Sequence, residues 1–483
     1  MATITFLGAA QTVTGSKYLL ETPNSKVLVD AGLFQGLKEL RERNWQNLPI
    51  AAKDIDAIVL THAHLDHCGY LPRLVSQGFR GRIFCTAGTK DLCGIVLPDS
   101  GRIQEEDAEQ ANRHGYSKHA PALPLYTEAD ANHTLTLLQP VGYERPMPVA
   151  DGIEVDFINA GHLLGSAYAR VRTGGQTILF GGDLGRFNRP VMPDPTMVEH
   201  ADYLLIESTY GNRVHEDDDD GEKLARAIRD TANRGGRVII PAFAVGRVEE
   251  LLYWVKKLEA EKRIPVLPVF VDSPMALKAL ARYTERINEL DPDLQPADTD
   301  EKAPHGPAAH EDRERRRRQA EQERELCAFC TQKFRAISAT QESKDLTRSR
   351  MPAIIISSSG MATGGRVLHH LKAALPEERN TVLLVGFQAE GTRGRHLLDG
   401  AKTIRIHGMD VPVNAHVEVV SSMSAHADSK EMLHWLRGFK QPPKRTFLVH
   451  GEPVAMQALN ASITSELKWN VHMPQWKEKA DLQ

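Results

Sequence analysis

Thr61-His62-Ala63-His64-Leu65-Asp66-His67 follows directly on Asp56-Ala57-Ile58-Val59-Leu60. The second of these stretches is a short apolar run with strand character. The first puts three imidazoles and one carboxylate into six residues, where that strand ends. Buried in an ordinary core, each of those groups would need its own polar partner, so the cluster is a poor way to fill an interior. A loop at a strand end can instead turn alternate side chains inward. His62 and His64 would then face one metal ion, and Asp66 and His67 a second.

Working outward, the same arrangement recurs. His162 lies in Ala160-Gly161-His162-Leu163-Leu164-Gly165-Ser166-Ala167, just after an expected strand at 153–158. Asp183 lies in Phe180-Gly181-Gly182-Asp183-Leu184-Gly185-Arg186, just after one at 177–180. Asp30 ends the run 27–29 in Val29-Asp30-Ala31-Gly32. His or Asp beside glycine at several strand ends suits an open site at one sheet edge, where small neighbours leave room for ions and substrate. His162 and Asp183 join the candidate ligands. Asp30 is expected to orient a ligand from behind.

Around this site the chain divides by pattern. Through about residue 210, short strands mix with helices. From about 217, helix and strand alternate: helices at 221–233, 246–262 and 275–289, strands at 237–240 and 266–271, then strand 353–357, helix 365–374 and strand 381–386. That rhythm predicts a parallel, helix-covered sheet. Residues 402–406, 413–420 and 446–449 read as strands, and 429–438 and 453–467 as helices. An acidic run at 216–220 reads as a solvated loop. Residues 291–326 read as a mobile loop leading into a charge-laced helix. The chain of 483 residues is long enough for two or three domains at about 150 residues each.

Composition narrows the function. Lys plus Arg is 59 against 63 Asp plus Glu, which excludes a protein that grips nucleic acid by net charge but leaves room for a local basic groove. No run approaches the ~18 apolar residues of a membrane span, and the first residues lack a secretory pattern. Cys68, Cys85, Cys93, Cys327 and Cys330 are few, odd in number and scattered, which fits a reducing compartment, the cytoplasm. Cys327-Ala-Phe-Cys330 is a lone pair and reads as ordinary thiols.

HxHxDH, GHLLGSA and GGDLGR, each closing a strand, resemble the metallo-β-lactamase superfamily. The helix–strand block then intervenes before Ser424-Ala425-His426-Ala427-Asp428 and Leu448-Val449-His450-Gly451-Glu452. With Leu205-Ile206-Glu207-Ser208-Thr209-Tyr210-Gly211, these resemble the β-CASP branch, which contains RNA 3′-end processing endonucleases, RNase J and Artemis-like DNA nucleases. The resemblance implies an α/β fold: an αββα sandwich at 1–210 and 403–483, with a β-CASP domain inserted at 211–402. It further implies two zinc ions, with Mn²⁺ as the alternative. By resemblance His62, His64 and His162 hold one, Asp66, His67 and His450 the other, and Asp183 bridges. Glu207 falls on the family's acidic motif A, His426 on motif B and His450 on motif C. A histidine at motif C tilts the reading toward RNA.

The expected activity is zinc-dependent hydrolysis of phosphodiester bonds in single-stranded RNA by a two-metal mechanism. Asp66, Glu207 and His426 are the expected catalytic residues, with His426 protonating the leaving oxygen and Glu207 orienting it. Ser358, Ser359 and Gly360, between a strand and a helix, are expected to hold a phosphate through backbone N–H groups, with a tight packing turn as the alternative. Arg393, with Arg186, Arg366 and Arg395, is expected to line a basic groove. The expected partner is RNA, with a homodimer left open. A DNA nuclease and a small-molecule hydrolase on the same scaffold are the competing readings.

Overall fold

The computed structural model describes residues 2–115, 117, 119–216, 220–294 and 329–483. The expected arm at 291–326 therefore lies outside the described residues from 295 onward, as do Cys327 and positions 217–219 of the acidic run.

Two seven-stranded sheets form the sandwich. One runs Lys479–Leu482, Ala2–Phe6, Tyr18–Glu21, Lys26–Val29, Ala57–Val59, Arg82–Cys85, Leu138–Pro140. The other runs Val471–His472, Arg445–Val449, Tyr203–Glu207, Gln176–Phe180, Ala167–Thr173, Ile153–Asn159, Met147–Ala150. Alternating side chains of both sheets, among them Phe6, Val29, Phe157, Phe180 and Phe447, fill one apolar layer. Burying such a layer is the main force that holds the sheets face to face. Helices such as Ala87–His114 and Ser429–Leu436 bury their apolar sides on the outside. The last strand, Lys479–Leu482, pairs antiparallel with Ala2–Phe6 and so completes the first sheet with the far end of the chain.

The inserted block is a six-stranded parallel sheet in the order Phe334–Ala336, Val269–Val271, Ala353–Ser357, Arg237–Pro241, Thr381–Leu384, His416–Val419. Its three central strands, Ala353–Ser357, Arg237–Pro241 and Thr381–Leu384, are buried throughout, as a helix-covered parallel sheet requires. His416–Val419 belongs to this sheet, although the expected boundary at 402 would have given it to the sandwich. The excursion runs past that boundary because the hairpin Thr403–Ile406/Met409–Pro412 separates the edge strand from the rest. Inside this domain, buried Asp272 accepts from His370 Nε2 at 2.7 Å and from Arg366 at 2.8 Å. His370 thus helps to hold the inserted domain together.

The insert is pinned to the sandwich by directional contacts. Arg286 pairs with Asp91 at 2.6 Å, and Tyr283 Oη accepts the Leu164 amide at 3.1 Å. An apolar cluster runs without a break from Ile58 and Leu71 of the sandwich through Leu163 to Val248 and Leu251 of the insert. Among the described residues no helix is long and apolar enough to cross a membrane.

Glu249, in the helix Arg247–Ala260, is wholly buried near this seam, and burial pushes its carboxyl up to about 8. The folded pKa lies above the ordinary 4.5, so the native state binds its proton more tightly than the unfolded chain. The contribution of Glu249 is therefore most favourable at low pH and is lost progressively as pH rises from about 4.5 to about 8. Glu249→Gln is expected to melt like the wild type at pH 5 and several degrees higher at pH 9. Thermal melts across that range check it, and a constant difference would refute the titration.

Candidate metal centre

The site is assembled from the ends of strands in both sheets of the sandwich. Lys26–Val29 and Ala57–Val59 in one sheet lead into Asp30 and His62. Ile153–Asn159, Gln176–Phe180 and Arg445–Val449 in the other lead into His162, Asp183 and His450. Tyr203–Glu207 ends on Glu207 itself. After His64 the chain turns into a short helix, Leu65–Cys68, so Asp66 and His67 sit on a helical turn rather than on an alternating loop. Gly32 lets that turn come close: a Cβ there would meet the Asp66 carbonyl oxygen at 1.6 Å. His450 has a left-handed backbone, φ 49°, a costly conformation away from glycine. It is held by its amide donating to Ala9 O at 2.7 Å and its carbonyl accepting from Ser208 at 3.2 Å.

The predicted ligands meet. His62 Nε2 and His162 Nε2 each lie 3.2 Å from His64 Nδ1. His450 Nε2 lies 3.2 Å from Asp66 Oδ2, bridging 384 residues of chain. Asp183 sits between the groups, with ring nitrogens of His67 at 3.2 Å, His62 at 3.3 Å, His162 at 3.5 Å and His450 at 3.7 Å. Two sets of ligand atoms cluster tightly enough for an ion each: His62, His64, His162 and Asp183, and Asp66, His67 and His450. A further group, Asp183, Glu207 and His450, overlaps both.

The donor set fits divalent metal. Asp183 is 2 % exposed, yet neither carboxylate oxygen has a hydrogen-bond partner. A buried carboxylate left so would be costly unless a cation answers it. Burial, the largest influence on each, holds His62 and His162 below the ordinary imidazole value and His64 down to about 3. Neutral imidazoles with converging lone pairs are what zinc binds.

Supporting groups lie behind these. Asp30 Oδ2 is 2.8 Å from His67 Nδ1 and accepts Thr61 Oγ1 at 2.9 Å, while Oδ1 accepts the Thr61 amide at 2.8 Å. Glu207, wholly buried, faces His426 Nδ1 with both oxygens, at 3.1 and 3.0 Å, and accepts the Leu184 amide at 2.7 Å. For His426 burial opposes the charge, but Glu207 and then Asp183 outweigh it and the pKa rises to about 9. Two groups escaped the sequence reading. Thr209 Oγ1 touches Glu207 and sits 3.1 Å from His450 Nδ1. His215 Nε2 lies 3.0 Å from the His426 carbonyl, and the His215 amide donates to Asp428 at 2.7 Å. His215 has neither ligand spacing nor a strand-end position, and Thr209, two residues past Glu207, is not of a type that marks a metal site.

The centre forms the floor of a cleft of about 250 Å³ between sandwich and insert. Ser358, Ser359 and Gly360 line it from the insert side. The helix beyond them starts only at Val367, and its first amide is taken by Ser358 O at 3.3 Å, so the helix start does not present the free N–H groups expected of it. The arginines expected to line a basic groove have partners within the fold. Arg393 donates to the carbonyls of Arg405 at 2.7 Å and Thr363 at 3.0 Å. Arg186 pairs with Glu431, Arg366 with Asp272 and Arg395 with Asp399. Arg186 and Arg366 are claimed by half-buried and buried carboxylates, Arg393 by backbone carbonyls, and Arg395 by an exposed carboxylate one helical turn away.

Comparison with known proteins agrees with this architecture. Three family profiles match: "Metallo-beta-lactamase superfamily" at 12–79, "Beta-Casp domain" at 248–397 and "Zn-dependent metallo-hydrolase RNA specificity domain" at 410–474. The chain is 34 % identical over 453 residues to ribonuclease TTHA0252 of Thermus thermophilus, covering 94 % of each. It is 30 % identical to transcription termination factor FttA of Methanocaldococcus jannaschii, covering 93 % of this chain and 67 % of that one. An RNase J-like protein of the same organism is 29 % identical, with 98 % of each covered. A crystal structure of a protein of unknown function from Enterococcus faecalis aligns over the whole of both chains at TM-score 0.50 and 13 % identity, a likeness of fold. The chain belongs to the β-CASP branch of the metallo-β-lactamase superfamily of metal-dependent hydrolases.

Proposed function

We propose that this protein is a zinc-dependent ribonuclease that hydrolyses phosphodiester bonds of single-stranded RNA, working in the cytoplasm. The observation that carries the reading is the convergence of His62, His64, His162, Asp66, His67 and His450 around the orphaned carboxylate of Asp183, at the floor of a cleft roofed by the inserted domain. Relatives named as a ribonuclease and as an RNase J-like protein, and the RNA specificity profile over 410–474, favour RNA as substrate. A small-molecule hydrolase needs no second domain over its site.

His62, His64 and His162 would hold one ion, Asp66, His67 and His450 the other, with Asp183 between them. Bound zinc supplies Lewis-acid polarisation of the phosphoryl oxygens and lowers the pKa of water toward neutrality. The chain's own residues do the rest. Asp30 fixes the ring of His67 through its Nδ1. Glu207 holds the Nδ1 proton of His426, which leaves the other ring nitrogen to give a proton to the departing alkoxide. Ser358 and Ser359 hydroxyls and the Gly360 backbone, on the opposite wall, position the phosphate chain.

Two experiments test this. Zinc-loaded wild type is expected to cut labelled RNA in preference to single-stranded DNA. Loss of an outer partner of a metal ligand costs about 10–100-fold in metal affinity or activity, so His64→Ala, which removes a direct ligand, is expected to lose more than about 100-fold, with less zinc retained by elemental analysis. Equal cleavage by both proteins would remove the assignment, and preference for DNA would favour the competing reading. Separately, His426→Ala is expected to keep its zinc while kcat on RNA falls by about 10²–10⁴-fold. Zinc lost along with activity would make His426 a ligand instead.

A further inference from the structure

The cleft has a charged floor and apolar walls. A metal-bound phosphodiester uses the floor. The walls carry two phenyl rings, Phe243 and Phe387, both from the inserted domain and both only part-buried. Other rings of this domain lie elsewhere: Trp254 is 5 % exposed and Tyr283 wholly buried, and the part-buried Tyr253, Phe270 and Phe334 pack against apolar clusters outside the cleft lining. A part-exposed ring in a concave wall beside a polar centre is placed to meet a flat apolar partner.

Both rings are held in position. Phe243 sits in Pro241-Ala242-Phe243-Ala244-Val245-Gly246, between a strand and a helix. Its ring lies so close to Gly360 that a Cβ there would meet it at 2.7 Å, which explains a glycine at that position. Its centroid is 6.4 Å from that of His64. Phe387 stands edge-to-face with Tyr210, at 5.6 Å and 89°. Tyr210 in turn is 6.3 Å from His426. One ring thus neighbours a metal-ligand histidine, and the other reaches the proton-donor histidine through a single tyrosine.

Charge alone does not account for substrate capture. The guanidinium that lines this cleft, Arg247, pairs with Glu250, and Arg186, Arg366, Arg393 and Arg395 have partners within the fold. The cleft lining thus offers few uncommitted side-chain cations beside the centre, and contact with bases is a further source of affinity for a nucleic acid.

We propose that Phe243 and Phe387 are stacking positions for nucleobases on either side of the scissile phosphodiester, an inference that rests on the ribonuclease reading above. A phenyl face has no hydrogen-bonding edge, so the pair holds bases without reading their identity. It requires them unstacked, which selects single strands.

The test uses the zinc-loaded full-length enzyme and short unstructured oligoribonucleotides with a phosphorothioate at the cut, carrying 2-aminopurine at successive positions. Fluorescence of 2-aminopurine is expected to fall on binding at positions flanking the cut. Phe243→Leu is expected to abolish the fall at one position, and Phe387→Leu at another, with Kd rising at least about fivefold for each. An abasic nucleotide at the responding position should weaken binding to wild type but not further weaken binding to the matching variant. Zinc content and melting temperature, measured alongside, report whether each variant is intact. If intact variants bind and cut RNA as the wild type does, stacking is refuted while the ribonuclease reading stands. If the wild type neither binds nor cuts RNA, both fall.

Discussion

The structure depends on one electrostatic constraint: a carboxylate, Asp183, buried at a crowded point with no hydrogen bond to answer it. Imidazoles surround it at 3.2–3.7 Å, too far or too poorly aligned to donate and near enough to share a cation. In a low-dielectric interior such a carboxylate is costly unless opposite charge stands beside it. The surrounding fold holds it open against collapse. Buried strands of both sheets stop just short of it, and Asp30, Thr61, Thr209 and Glu207 brace the rings from behind. The left-handed backbone at His450 is part of the same arrangement, since the hydrogen bonds of its amide and carbonyl hold a conformation the residue would not otherwise favour.

The inserted domain turns this centre into a cleft. It brings an uncharged polar edge, Ser358 to Gly360, and two phenyl rings to within reach of the metal ligands, while the Leu164 amide on Tyr283 ties it to the loop that carries His162. The insert is therefore anchored on the loop that carries His162, since Leu164 lies two residues from His162. The cost of that arrangement is visible in Glu249, a carboxyl buried in the seam whose own charge the surroundings disfavour.

The residues that converge at this centre were legible because candidate metal donors leave a local mark. HxHxDH compresses four donors into one strand end, and His162, Asp183 and His450 each follow an apolar run. The parallel sheet of the insert was legible for a similar reason, since its central strands are buried on both faces and interleaved with helices. Other features leave no such mark. His215 and Thr209 act through single hydrogen bonds set by distant partners. The arginines near the cleft could not be assigned from sequence, because whether a guanidinium faces a phosphate or a carboxylate depends on what the fold puts beside it. The edge strand His416–Val419 joins the inserted sheet by pairing with a strand about 35 residues earlier in the chain, a choice that no local pattern records.

By itself the sequence determined which atoms are available for chemistry and roughly where each strand ends, because donor types and hydrophobic periodicity are local properties of the chain. Only the tertiary structure decided which of those atoms meet. The 3.2 Å approach of His450 to Asp66 spans 384 residues, and the final strand returns to pair with the first. Such contacts follow from the burial of two whole sheets against each other, a cooperative gain that belongs to no single segment.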